Sequence, residues 1–372
     1  MEHLLYRVAL YMSLPLMLFF GFHMLFARVP ERKNIANFLL SRRLMGTALL
    51  VLSANYSVHL VVALRYIDAD ATILMNVATY FLTYWLFTSA MMTLLDRNYV
   101  TSARFSRHLC LWLVYSAAAV VVHMLPLPAR QYAMGVMAFC LVVYGLLLTS
   151  RILRTYRRAI KLFENTHSDD IGAYIRWLSV FTHWAVCYGV GCGLLTFLPD
   201  RFVFIWILAS IPFYIYLYCS YQNYIFFCED VEEAIEEDGG LGGMELPDDN
   251  RGADPAASGF HCDLSARIDA WINSEGYRTP GITLNQLSAL LGTNRTYLSE
   301  YINNVYKMTF RDWVTGLRIE YAKRLMSQNP MMKIQDLSES SGFLSVSHFS
   351  RIFKEKEGCT PSNYKLTFRQ AD

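Results

Sequence analysis

Charge is scarce in this chain. Asp, Glu, Lys and Arg make up 17% of its 372 residues, and hydrophobic residues make up 54%. Soluble domains carry about a quarter charged residues. Through residues 1–228 no carboxylate falls inside a long apolar stretch. The nine acids there (Glu2, Glu31, Asp68, Asp70, Asp96, Glu164, Asp169, Asp170, Asp200) lie in loops, tails or stretch edges. Ion-coupled transport needs an ionisable group at mid-membrane, so a pump or secondary transporter is disfavoured. The eight cysteines contain no CxxC, which excludes the usual zinc spacing and a disulfide framework. They read as small buried hydrophobes. No HxxxH occurs, and His23, His59, His123 and His183 fall at different depths. A haem or metal site between spans is therefore not expected. No polar catalytic set gathers at one depth, so the expectation is no enzyme, no cofactor and no metal.

What is present divides into three regions. Residues 1–228 carry a net charge of +9, residues 229–261 of −10, and residues 262–372 of +3. The first region holds seven apolar stretches near spanning length, at 5–26, 44–66, 71–95, 109–127, 131–150, 175–198 and 202–227. Alternate connections are rich in Arg and Lys, as in Arg28 to Arg43, Arg97 to Arg107 and Arg151 to Lys161. The others are short, with Arg130 and Arg201 as their only basic residues. The positive-inside rule places the basic loops in the cytoplasm. Seven spans then put the N-terminus outside and everything after residue 228 inside. Gly189 and Gly193 form a GxxxG, which brings two helix backbones close; the partner is another span or a second copy. Tyr214, Tyr218 and Tyr221 form a stripe at helical spacing, read either as packing with an interfacial belt or as a hydroxyl-lined pocket.

Residues 229–261 open with EDVEEAIEED and continue in Gly, Pro, Asp and Ala. The opening could extend the last span as a short acidic helix. The rest is expected to be a flexible cytoplasmic linker, reaching roughly 30 Å as a random coil.

From residue 262 the pattern is that of a soluble helical domain. Leu264, Ile268, Trp271 and Ile272 have helical period. Thr283-Leu-Asn-Gln286 is a capping box, Thr309-Phe-Arg-Asp312 opens a long amphipathic helix, and Thr360-Pro361 opens the last one. An internal repeat is visible. Leu287-Ser288-x-x-x-Gly292 is followed by Leu298 and Ile302, and Leu337-Ser338-x-x-x-Gly342 by Phe349 and Phe353. Each copy reads as helix, glycine turn, helix. One such pattern is weak, but two joined by a helix of about 19 residues are much stronger. That helix spans roughly 28 Å, near the roughly 34 Å separating successive major-groove segments on one DNA face.

Residues 282–366 resemble the DNA-binding domain of AraC/XylS-family bacterial regulators. The matching residues run from Leu287 to Gly292, then Tyr297-Leu298, Leu317-Arg318 and Ala322-x-Arg324-Leu325. They continue through Gly342-Phe343, Phe349-Ser350-Arg351-x-Phe353-Lys354, Gly358-x-Thr360-Pro361 and Tyr364. The multi-span first region is similar to that of the membrane-embedded type of this family. Lys307 stands where the family has Gly, Lys333 where it has Thr, and Ser288 and Ser338 where it has Ala.

The resemblance implies an all-α chain: a seven-helix transmembrane bundle (1–228), the linker (229–261) and a double helix-turn-helix domain (262–372). It implies binding of double-stranded promoter DNA and RNA polymerase by a multi-pass protein of the bacterial cytoplasmic membrane. Arg295, Thr296 and Ser299 would face the groove from the first recognition helix, and Ser347, His348 and Arg351 from the second. Asn294, with N-cap its more natural role, Ser345 and Lys354 complete the candidate contacts. Arg351 is the foremost candidate, with an ion pair to Glu355 as its alternative. Glu300, in an exposed position, either accepts from a cytosine amine or is solvated. Phe343, Phe349 and Phe353 are read as core. A homodimer through Gly189 and Gly193, contact with lipid and an unidentified signal complete the expectations. The alternative is a seven-span receptor whose C-terminal domain binds protein partners instead of DNA.

Overall fold

The computed structural model describes residues 2–30, 35–169, 172–195, 200–237 and 257–369. Every regular element among them is helical, apart from one isolated backbone bridge between His167 and Thr283. The all-α expectation holds. The chain forms two compact units, residues 1–159 with 174–244 and residues 160–173 with 245–372. The second unit thus recruits a stretch that composition alone assigns to the apolar region.

The first unit contains α1 (Glu2–Phe26), α2 (Ala36–Val61), the single turn α3 (Leu64–Ile67), α4 (Ala69–Leu95), α5 (Ser102–His123), α6 (Leu127–Thr166), α7 (Gly172–Leu195), α8 (Asp200–Tyr224) and α9 (Cys228–Glu237). Helix α6 passes into the second unit at residue 160. Among the described residues, five helices are long and apolar enough to cross a membrane, α1, α2, α5, α6 and α8, where the sequence suggested seven spans. Helix α4 falls short by composition because Asn76 and five threonines dilute its apolarity. Most of those polar groups are buried: Asn76 Oδ1 accepts from Asn55 at 3.1 Å and meets His59 at 2.8 Å. Part of α7 lies outside the described side chains.

Among the described residues, close approach at glycine is seen at Gly46 and Gly191. A Cβ on Gly46 would sit 3.0 Å from the Gly21 carbonyl oxygen, and one on Gly191 would sit within 2.9 Å of the Trp206 ring. The surroundings of Gly189 and Gly193 lie outside the described residues. The tyrosine stripe divides. The Tyr221 hydroxyl lies 2.7 Å from that of Ser41, Tyr218 stacks on Phe20 at 4.4 Å, Tyr214 lines an apolar cavity with Tyr56, Tyr80 and Trp206, and Tyr221 lines another with His23 and Phe38. Each of the four histidines has a local polar neighbour. His59 meets Asn76 at 2.8 Å, His183 the Ser179 carbonyl at 2.7 Å, His23 the Gln222 amide at 3.3 Å and His123 the Asp68 carboxylate at 3.5 Å.

The start of the acidic region is not a free linker. Helix α9 buries Cys228, Val231 and Ile235, and its Glu232 Oε1 accepts from the Phe38 amide at 3.1 Å, in the first turn of α2. Burial pushes this carboxyl up to about 7, while that amide favours its charged form. Residues 238–256 lie outside the described residues.

The second unit contains α10 (Ala257–Asn273), a 3-10 turn (Gly276–Arg278), α11 (Leu284–Leu290), α12 (Arg295–Tyr301), a π turn (Ile302–Tyr306), α13 (Phe310–Gln328), α14 (Ile334–Ser340), α15 (Val346–Glu357) and α16 (Pro361–Arg369). Helix α13 serves two cores. Its first half gives Trp313 and Val314 to a cluster with Leu264, Leu287 and Leu298, and its second half gives Ile319, Ala322 and Met326 to a cluster with Leu337, Phe349 and Phe353. Phe343, Phe349 and Phe353 are core, as read from the sequence.

Candidate nucleic-acid interface

The two helix-turn-helix copies repeat at the level of single hydrogen bonds. In the first, the Gly292 amide donates to Ala289 O at 3.2 Å and the Thr293 amide to Ser288 O at 2.9 Å. In the second, the Gly342 amide donates to Glu339 O at 3.0 Å and the Phe343 amide to Ser338 O at 3.1 Å. Both turn glycines have positive φ, +62° and +83°, a conformation that L side chains resist. The capping box at Thr283 and Gln286 is complete, with both bonds present. At Thr309 only half of it forms: its hydroxyl accepts from the Asp312 amide at 3.1 Å.

Each recognition helix is opened by a polar side chain. Asn294 Oδ1 accepts from the Tyr297 amide at 2.7 Å, and Ser345 Oγ from the His348 amide at 3.2 Å. Asn294 thus acts as the N-cap of α12, and Ser345 as that of α15. Thr296, Ser347, Arg351 and Lys354 are exposed; Arg295, Ser299 and His348 are half-buried.

The departures from the family pattern carry a local cost. Lys307 adopts φ +54° without being glycine, and Lys333 caps α14 with no side-chain bond. Lys307→Gly and Lys333→Thr are each expected to stabilise the second unit by about 1 kcal/mol. Slower amide exchange after α12 and in the first turn of α14 would register this.

Sequence reasoning missed a group at the centre of this unit. Arg318, on α13, is fully buried. Its Nε donates to Tyr277 O at 2.8 Å and its Nη2 to Thr279 O at 2.8 Å. The same guanidinium reaches residues far earlier in the chain, Ser168 Oγ at 3.3 Å and Asp169 Oδ1 at 3.5 Å. It also sits 5.6 Å from the Phe343 ring centre, so it touches the second helix-turn-helix as well. Burial opposes its charge and Asp169 supports it. Burial likewise raises the Asp169 carboxyl, against the opposing pull of Arg318. A signal existed: no acid lies three or four residues from Arg318 in either direction, so an arginine on the inward face of α13 needed a distant partner.

The same short segment reaches the second recognition helix and the turns around the first helix-turn-helix. The Ser168 amide donates to Ile282 O at 3.2 Å, and Glu164 pairs with Arg311 at 3.3 Å. Asp169 Oδ1 lies 4.0 Å from His348 Nδ1, and the His348 side chain is only 10% exposed. Burial, with Arg295 nearby, holds the His167 imidazole down at about 4, so it is neutral at pH 7.

Residues 287–367 match the family described as a helix-turn-helix domain. Over 87 residues, 23% of this chain, the sequence is 34% identical to the virulence regulon transcriptional activator VirF of Yersinia enterocolitica, covering 32% of that protein. Over 79 residues, 21% of this chain, it is 35% identical to the HTH-type transcriptional regulator ExsA of Pseudomonas aeruginosa, covering 28% of it. Over 74 residues, 20% of this chain, it is 36% identical to the TCP pilus virulence regulatory protein of Vibrio cholerae, covering 26% of it. The chain thus spans about a third or less of the length of these relatives. No solved structure is significantly similar to it. The repeated turn geometry, the capped recognition helices and these relatives together identify residues 287–367 as a helix-turn-helix domain of the AraC type.

Proposed function

We propose that this chain is a sequence-specific transcriptional regulator that binds promoter DNA while held in the bacterial cytoplasmic membrane. The observation that carries this reading is the pair of capped recognition helices joined by the 19-residue α13, with Arg351 and Ser347 exposed on one and Thr296 on the other. That spacing suits two adjacent major-groove segments. Arg351 reads a guanine edge or clamps a phosphate.

Seven spans, with the N-terminus outside and the C-terminal domain in the cytoplasm, agree with the loop charges. The apolar side chains exposed on α5 and α6, among them Val114, Val121, Phe139 and Leu147, suit a lipid surface. The bundle senses a signal and changes dimer geometry or the freedom of the acidic linker, and so the effective concentration of paired domains at DNA. Contact with RNA polymerase is what the AraC/XylS resemblance implies; a role in activation is in keeping with relatives named a transcriptional activator, a transcriptional regulator and a virulence regulatory protein.

Genome-wide DNA crosslinking of the tagged full-length protein in intact cells tests this. A few sharp sites are expected, lost in Arg351→Ala while membrane insertion is unchanged. Loss of one arginine contact costs about 1–3 kcal/mol of discrimination. Sites that persist in Arg351→Ala would remove this residue from the interface. Failure to find any site, with the protein inserted, would favour a protein-binding role for the domain.

A further inference from the structure

The positions expected to meet DNA are partly occupied by the chain itself. Within the second unit, residues 164–169 lie against His348 of α15 and within electrostatic reach of Arg295 of α12. Asp169 faces His348 at 4.0 Å, and His167 is close enough to Arg295 for that cation to act on it electrostatically. Nη2 of Arg295 is fully buried. The segment is further held by the backbone bridge between His167 and Thr283, the Ser168 bond to Ile282, and the Glu164 pair with Arg311.

We propose that segment 164–169 is an intrachain competitor for DNA: seated, it withholds Arg295 and His348 from the duplex, and the domain binds DNA fully only when the segment withdraws. This rests on the reading of α12 and α15 as the DNA-contacting helices.

Two observations make the exchange physically reasonable. Asp169 sets a carboxylate 4.0 Å from His348, where a duplex would set a phosphate, so one ligand excludes the other. The seating contacts are also the weaker half of those made by Arg318. Its bonds to Tyr277 and Thr279 are 2.8 Å long, those to Ser168 and Asp169 3.3 and 3.5 Å. When the segment leaves, Arg318 keeps its two shorter bonds and water or phosphate replaces the rest. The domain can therefore release the segment without losing its core. The segment begins in the last turn of α6, whose earlier turns belong to the first unit, and runs three residues past it. A change in that helix reaches Asp169 through the covalent chain.

The test uses full-length protein in lipid nanodiscs and a library of random duplexes as the probe. In the double variant His167→Cys with Thr283→Cys, oxidation pins the segment at the bridged pair. Retention of duplex DNA is expected to fall about tenfold or more on oxidation and to recover on reduction, a coupling of ordinary size. His167→Cys or Thr283→Cys alone, beside the eight native cysteines, should show no such change. Asp169→Asn, which keeps the shape and removes the charge, is expected to raise affinity about tenfold. If Asp169→Asn impairs folding, the crosslink still decides. Equal retention by oxidised and reduced double variant overturns the competitor while leaving DNA binding intact. Absence of retention in wild type, reduced double variant and Asp169→Asn alike overturns both the competitor and the DNA-binding reading beneath it.

Discussion

Gly342→Ala is expected to unfold the second helix-turn-helix, while Gly292→Ala, its counterpart fifty residues earlier in the repeat, is expected to be tolerated. Both glycines make the same turn with positive φ, so the conformational cost of an L residue, about 1 kcal/mol, is shared. The surroundings differ. A Cβ on Gly292 would meet only the far end of Arg267, at 3.3 Å, and that side chain can move. A Cβ on Gly342 would lie 2.7 and 2.8 Å from the carbonyl carbon and Cα of Arg278, and closer still to its carbonyl oxygen. This is backbone, and it is fixed: the Arg278 guanidinium donates to Ser340 O at 2.9 Å, and Tyr277 beside it anchors Arg318. Relief would require separating the 3-10 turn from the α14–α15 corner. The expected costs are about 1 kcal/mol for Gly292→Ala and about 3 kcal/mol or more for Gly342→Ala. Amide exchange of α14 and α15 in the full chain separates the two. Similar protection in both variants would mean that the turn and Arg278 are not in close contact.

The contrast also marks where sequence reading stops. The repeat, the caps at Asn294 and Thr309, the aromatic core of α15 and the all-helical character were legible because each is written in residues within a few positions of one another. So was the strain at Lys307, where the chain needs a conformation suited to glycine. The close approach of Gly342 to Arg278, 64 residues apart, leaves no local trace. Nor does the pairing of Asp169 with Arg318, separated by 149 residues; from the sequence Asp169 was simply an acid in a loop. The docked helix α9 was half legible. Val231 and Ile235 stand one helical turn apart, yet the surrounding acids concealed an apolar face, and Glu232 had no visible use until it met the start of α2. The span count blurred for the opposite reason. Helix α4 spends its polarity on buried partners such as Asn55 and His59, so composition understates how well it is enclosed.

Arg318→Leu is the second variant with a large expected effect, and the origin of its cost bears on how the segment from 164 to 169 works. Removing the guanidinium leaves the carbonyls of Tyr277 and Thr279 without donors in a buried site, each worth about 1–3 kcal/mol. It also leaves Asp169, only 12% exposed at its side chain, facing no cation. A closed buried ion pair broken from one side costs about 3–5 kcal/mol, a large share of the 5–15 kcal/mol that typically holds a domain together. The geometry apportions the loss. The short bonds go to the carbonyls and the long ones to the segment, so most of the cost should persist whatever happens to Asp169. Arg318→Leu is therefore expected to destabilise the second unit by about 3 kcal/mol or more. Asp169→Asn keeps an oxygen toward the guanidinium and leaves its short bonds to Tyr277 and Thr279 in place, so losing the charge across the long 3.5 Å contact should cost about 1 kcal/mol or less. In the double variant the aspartate change should add little, because without Arg318 the segment is free to carry its carboxylate into water. Urea titrations read by amide exchange in α13 give the cycle. A coupling between Arg318 and Asp169 of about 1 kcal/mol fits a segment that leaves and returns. A coupling of about 3 kcal/mol or more would instead make the segment a permanent part of the core, and the route from α6 to the recognition helices would be closed.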